Sequence, residues 1–516
     1  MACFARMAFS ATPFLATPIL FLEAPDSELL RFLEEAHALV VAAPTLLALV
    51  DADLDAHAKA KKALRLEDAA WIRQQAAPLP GVDAVARMGP EELRLAQGRP
   101  RTPALVVFVA LMLRGFFGAG FKACDSTSMM QESKTLHVFF ANLGLTMPGR
   151  STLTELVNAI RNETRQRILD AQIAVALACK WDDFSTMLQD STHVEGNTAW
   201  PTDSQTLVAL VARVLRVGAQ LGRLALPAIQ SPKAQKHLVA MTELSREIAL
   251  APRTKDRARA RRRMYEKLLW RARRVRVVLN DAVTRLEASV RVLDVLPSRK
   301  AMAERAVDRL RADVRSLAQS IANCEARVVL EHKVPVADKV LSVSDPDVGF
   351  IAKGQRVPVI GYKPQLARSG AGFVTGLLLP QGNAADSGQL VPMFNEVVRR
   401  TTVTPSVLSV DDGYASQANL DAIREHKVEI ISINGAKGHA LTARADWQSE
   451  AYAEARSLRS AVESMMFTLK QGFDFGYVAR RGLDAAHGEL LEKALAYNMC
   501  RMARARSASA ARALAA

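Results

Sequence analysis

The five cysteines, Cys3, Cys124, Cys179, Cys324 and Cys500, stand far apart, and the chain contains no CxxC pair and no Cys–His cluster. That excludes a disulfide scaffold and a zinc ribbon, and fits a reducing compartment. Long hydrophobic runs are also missing. The most apolar one, Ala104–Leu113, is stopped by Arg114, far short of the roughly 20 residues a membrane helix needs. It reads as a buried helix, and no membrane is expected as a partner. The first 25 residues carry one arginine and an apolar stretch that faintly resembles a signal peptide. Two prolines interrupt it and no clean small-residue cleavage site follows, so export is not expected.

Acid is in deficit: 53 Asp and Glu face 68 Lys and Arg, a formal net charge of +15. An excess of that size points to a polyanionic partner, DNA or RNA first, with a merely soluble basic protein as the open alternative. The 516 residues exceed one ordinary core and imply two to four structural units. With 49% hydrophobic residues, a packed interior is expected rather than wholesale disorder.

Patterning divides the chain. From Pro25 to about Cys179 it is helical, in segments such as Glu28–Glu35 and Leu105–Leu113. Within it Thr152 and Glu155 have the spacing of a capping box, and a basic helix through Arg161, Arg165 and Arg167 follows. This region, residues 1–180, reads as an all-α N-terminal domain for DNA-end binding or dimerisation, or as an ordinary bundle. Phe184–Thr192 is strand-like. Residues 204–333 are long-helical, and between Arg253 and Arg276 twelve Lys or Arg stand against two acids, with Tyr265 and Trp270 interleaved. Such a run is often a solvated face. This density favours phosphate contacts, through Arg261, Arg262, Arg263, Arg273 and Arg274.

After Val334 the texture alternates. Val340–Val343, Val357–Tyr362 and Phe373–Leu379 read as strands, the last two separated by the turn-like Ser369–Gly372. Gly388–Arg400 reads as helix, Ser406–Val410 as strand, Gln417–His426 as helix and Val428–Ile433 as strand, broken by Asn434-Gly435. A single helix is expected from Ala451 to Gln471, and a frayed tail over 504–516. The whole is an α/β layout on a mixed sheet.

Two carboxylates fall where ligands gather in such sheets. Asp190 lies near the end of the first strand, and Asp411 lies where an apolar strand meets Asp412-Gly413. Close together they would repel unless a cation lay between them, and oxygen-only ligands suit Mg²⁺ or Mn²⁺. Singly, each could equally be a loop or helix-cap acid. On the last helix, Arg459, Glu463 and Lys470 fall within roughly 40° on one face, either as an ordinary ion-pair ladder or as a carboxylate flanked by phosphate-holding cations.

Three ordered blocks carry a resemblance. They are Asp190-Ser191-Thr192 leading to Trp200-Pro201-Thr202-Asp203; Asp411-Asp412-Gly413-Tyr414; and Arg459-x₃-Glu463-x₆-Lys470. The chain resembles the DDE transposases of bacterial insertion sequences, in particular those of unclassified-family (ISNCY-type) elements. Arg456 and Trp200 stand where that family has tyrosines. Tyr477–Arg481 with Gly482, and Ala496-Tyr497-Asn498-Met499, resemble its usual ending.

The resemblance implies an RNase H-like catalytic domain, split as 181–203 plus 334–503 by the long α-helical insertion 204–333. It further implies a catalytic, metal-binding triad of Asp190, Asp411 and Glu463, using two Mg²⁺ ions with Mn²⁺ as a possible substitute. Arg459, Lys470 and Arg456 would hold phosphates. The partners implied are terminal inverted repeats, target DNA and a second copy of the chain, on bacterial nucleoid DNA in the cytoplasm. Two other readings stay open: a domesticated transposase derivative or helical DNA-organising protein that only binds, and an RNase H-like nuclease without strand transfer. His193 reads as structural or DNA-facing. Asp412 and Asp203 read as local caps, and Lys437, His439 and Arg444 as possible DNA contacts.

Overall fold

The computed structural model describes residues 28–75, 101–117, 130, 132–223, 227–251, 258–352 and 357–515. Cys3, Cys124, the apolar N-terminal segment and the basic residues 253–257 lie outside the described residues. Among the described residues no single helix is long and apolar enough to cross a membrane. The chain divides into two compact units, the first taking described residues 28–57, 101–197 and 347–515, the second 58–75 and 198–346. The helices before Cys179 thus group largely with the sheets, whereas the sequence pattern gave residues 1–180 a region of their own. The helical insertion expected at 204–333 falls within the second unit.

Nine strands occur among the described residues, all in the first unit: β1 Thr186–Ser191, β2 Val194–Gly196, β3 Gly349–Ile351, β4 Val359–Tyr362, β5 Gln365–Ser369, β6 Val374–Leu378, β7 Val407–Asp411, β8 Ile430–Asn434 and β9 Tyr477–Val478. They form a five-stranded sheet in the order β6-β5-β1-β7-β8 and a four-stranded one, β3-β4-β2-β9. In the larger sheet β6, β5 and β1 are antiparallel, while β1, β7 and β8 run parallel. The α/β class with mixed sheets is therefore as expected.

Side chains alternate across a strand, and that sorts the two faces of the larger sheet. Met187, Leu408, Val410 and Ile433 join a core with Met393, Phe394 and Val397 of the helix Leu390–Thr401. The opposite face meets the helices Glu450–Ser457, Arg459–Gly472 and Leu483–Ala515. Asn498 ties the last of these to β6, its carboxamide bonding both the N–H and the carbonyl of Val374. The helix Ala104–Phe116, apolar all round as its sequence suggested, is enclosed against Leu483–Ala515. At Gly115 the two backbones approach so closely that a Cβ would meet the Glu492 carbonyl. Buried Glu492 receives Arg114 at 3.3 Å, Arg165 at 2.7 Å and Arg480.

The second unit is a bundle of Asp203–Arg223, Pro232–Leu250, Ala258–Arg291 and Pro297–Cys324. Along the third helix Tyr265, Leu268, Ala272, Val275, Leu279, Val283, Leu286 and Val290 repeat every three or four residues and fill the core.

Several expectations need correction. Val340–Val343 is not a strand: the Ser342 hydroxyl accepts the N–H groups of Ser344 and Asp345 and turns the backbone. β5 was missed, because Gln365, Arg368 and Ser369 are polar although the strand is largely buried; the turn Ser369–Gly372 follows β5. The capping box is not formed: Gly149 precedes the helix Arg150–Ala159, Thr154 bonds back to Arg150 and Glu155 pairs with His57. The helix expected over Ala451–Gln471 breaks at Leu458, where Ser457 and Ser460 hydroxyls take up carbonyls of the preceding turn. The tail is helical to Ala515 rather than frayed. Alanine favours helix, and Arg506 anchors it by pairing with Glu35 and lying over Trp181.

Candidate active site

β1 and β7 are in parallel register, with Leu188 opposite Ser409. Two residues on along each strand come Asp190 and Asp411, so the carboxylates stand at one level. Each is an even step from Leu188 and Ser409 and an odd one from Met187 and Val410, which places both on the face that meets Arg459–Gly472. Asp190 is buried at 5% exposure and its Oδ1 accepts the Ser191 N–H at 2.7 Å. Asp411 is half-buried, and its Oδ1 accepts the Gly413 N–H at 2.8 Å. β8 sets Asn434 opposite Asp411.

A third carboxylate joins them that sequence reasoning missed. Asp386 pairs with Lys363 at 2.9 Å and accepts Gln365 Nε2 at 2.8 Å, and Gln365 in turn accepts the Tyr414 hydroxyl. A Cβ placed on Gly413 would lie 3.0 Å from Asp411 Oδ1 and 3.2 Å from Asp386 Oδ2, so the two acids flank one glycine. Burial, then the charges of Asp386, Asp190 and Asp411, hold the Tyr414 hydroxyl well above its ordinary pKa. The signal lay in Asp411-Asp412-Gly413-Tyr414, but nothing local pointed to Asp386 or Lys363.

Glu463 stands apart from this cluster. It is exposed on Arg459–Gly472 and pairs with Arg459 at 3.1 Å. Among the described residues no group of three or more His, Cys, Asp or Glu is arranged to hold a metal ion. The structure thus brings Asp190 and Asp411 together and leaves Glu463 on a helix that packs on β1, β5 and β7. The surroundings of the pair nevertheless suit a hard cation. Besides the two carboxylates, Ser409 Oγ and Asn434 Oδ1 are buried without a protein partner on the same face.

Arg456 falls on the preceding helix, its guanidinium 5.0 Å from the Trp447 ring centre. Asp412, expected to act locally, caps a helix further along the chain, its Oδ1 accepting Lys437 and Gly438 N–H at 2.8 and 3.0 Å. That holds Lys437 and His439 on the short helix Ala436–Leu441, and His439 packs edge-on against Trp447. Asp203, expected to act locally, instead pairs with Arg327 at 2.9 Å, far along the chain.

In the second unit the basic residues of Ala258–Arg291 are distributed around its outer surface. Arg262 pairs with Glu266 at 3.3 Å, Arg273 with Glu325 at 2.5 Å, Arg261 lies over Tyr265, and Arg274 lies 4.2 Å over exposed Trp270. Arg263 lines a groove with Glu243, Glu247 and Trp270. Trp200, Asp203, Arg259, Arg261, Arg262 and Arg327 line an open cleft of about 840 Å³.

Residues 349–499 match the family model described as Transposase DDE domain. No curated protein and no solved structure matches the chain. The match supports a DDE transposase, an enzyme whose family implies DNA substrates and divalent metal ions. It contains Asp411 and Glu463; Asp190 lies before it in sequence and joins it through the pairing of β1 with β5 and β7.

Proposed function

We propose that the chain is the DNA transposase of a bacterial insertion sequence of the ISNCY type, cutting and joining DNA strands on an RNase H-like core. The observation that carries the proposal is the pair Asp190 and Asp411, level on adjacent parallel strands within the region of the transposase match and its paired strand. Asp190, Asp411 and Glu463 would hold two Mg²⁺ ions, or Mn²⁺ in their place. Bound there, the ions would supply activation of a nucleophile and stabilisation of the leaving oxygen in phosphoryl transfer. In the free protein Glu463 pairs with Arg459; with Glu463 on metal, the Arg459 guanidinium would be available to a DNA phosphate.

Arg459, Lys470 and Arg456 then position the strand by its backbone, contacts that carry no sequence information. The basic helix of the second unit, through Arg261, Arg262, Arg263, Arg273 and Arg274, holds more of the duplex by neutralising phosphates. The N-terminal helices serve end binding and pairing of two copies on nucleoid DNA in the cytoplasm.

The test is a duplex bearing the inverted repeats that flank the gene, incubated with Mg²⁺ and a target plasmid. The reading predicts cleavage at the repeat ends and joining of the freed 3′ ends to target. Cleavage without joining would make the protein a nuclease of the same fold, and binding alone would make it a domesticated derivative.

A further inference from the structure

At the hairpin between β5 and β6 two guanidinium groups are drawn to one point, with one carboxylate, Asp182, nearby and paired with neither. Arg368 of β5 donates to the carbonyls of Ser369 and Gly370, and Arg501 of the helix Leu483–Ala515 donates to Ala371. Gly372, at φ +96°, permits the approach: a Cβ there would stand 2.8 Å from Arg501 Nη2 and 3.2 Å from Arg368 Nη2. The Tyr497 hydroxyl fixes the same turn by donating to Gly372 O at 3.0 Å. Burial lowers the Arg368 pKa, with the neighbouring Arg501 charge adding to it and Tyr497 and Asp182 opposing it. The nearby carboxylate, Asp182, spends its oxygens on the N–H groups of Phe184 and Ala371. Neither arginine forms an ion pair among the described residues, and both remain partly exposed.

Like charges held this close in the free protein are costly unless an anion is to sit between them. Two forked donors with spare N–H groups match the oxygens of a phosphate. Arg368 lies opposite Leu188, on the face of the sheet that also carries Asp190.

We propose that Arg368 and Arg501 form a phosphate-binding site that grips the backbone of bound DNA. That the phosphate belongs to DNA rests on the transposase reading; the site itself does not. The experiment measures DNA affinity against salt for the unmodified protein and for Arg501→Gln and Arg368→Gln made separately, so that one folded variant suffices. Loss of one phosphate contact should lower the slope of log affinity against log salt by about 0.9, with the melting temperature of the free variant unchanged or raised. In parallel, inorganic phosphate at constant ionic strength should raise the melting temperature of the unmodified protein, and less so that of the variant.

An unchanged salt slope overturns the proposal, and a phosphate response without a slope change assigns the site to free phosphate instead. A variant that melts lower and keeps its slope marks the two arginines as structural. Each of these failures leaves Mg²⁺-dependent cleavage by the unmodified protein intact, whereas failure of the transposase reading would remove that cleavage.

Discussion

Asp190 and Asp411 stand side by side on parallel strands, each two residues beyond the paired Leu188 and Ser409. In the free protein two level carboxylates repel, and a divalent cation relieves the repulsion. Mg²⁺ should therefore stabilise the protein, by about 2.7 kcal/mol at a hundred times its dissociation constant. Asp190→Asn should melt at the same or a higher temperature without metal and respond little to its addition. Calorimetric melts with and without Mg²⁺ check this; an equal metal response in Asp190→Asn would contradict it.

Asp412 has a different task from its neighbour. Its carboxylate holds the first N–H groups of the helix Ala436–Leu441. Asp412→Ala should cost about 1 kcal/mol, as loss of a helix cap does, measured by denaturant unfolding. DNA cleavage at a temperature well below melting should persist.

The Arg459–Glu463 pair lies at the surface, with side chains 36% and 59% exposed. Such pairs contribute about 0.5 kcal/mol or less. Arg459→Ala should leave the melting temperature nearly unchanged and lower cleavage at least about tenfold, about 1.4 kcal/mol of transition-state stabilisation. A variant with full cleavage would deny Arg459 its role on DNA.

Asp170 links the helix Asn162–Ala178 to Leu390–Thr401 through Arg399 at 3.1 Å and Arg400 at 2.7 Å. Burial alone would raise its pKa, but the hydrogen bonds and charges of Arg399 and Arg400 outweigh it and hold the carboxyl below its usual range. Its contribution is therefore fully present above the unfolded value of about 3.9 and is lost as pH falls through the depressed one. The stability gap between the unmodified protein and Asp170→Asn should be constant near neutrality and close below about pH 4 in unfolding titrations.

The two aspartates were legible in sequence because an acid at the end of an apolar strand, followed by glycine, leaves a local mark. Most helices were legible from their apolar spacing, and β1, β7 and β8 as short, largely apolar runs. Asp386 and Lys363 left no such mark. They approach Asp411 only because β5 pairs with β1, and β5 hides behind the polar Gln365, Arg368 and Ser369; Gln365 finds its partners in Asp386 and Tyr414, while Arg368 and Ser369 bond within the turn that follows. The break at Leu458 was equally hidden, since it depends on serine hydroxyls competing for carbonyls rather than on proline or glycine. It matters for the site, because it separates Arg456 from the face that carries Glu463.

The most direct measurement is Mg²⁺-dependent nicking of supercoiled DNA by the unmodified protein, Asp190→Asn, Asp411→Asn and Asp412→Asn, each verified as folded by circular dichroism. The account predicts nicking by the unmodified protein and by Asp412→Asn. It also predicts a fall of at least about a hundredfold, roughly 2.7 kcal/mol of transition-state stabilisation, in the other two. Undiminished nicking by folded Asp190→Asn or Asp411→Asn would contradict it.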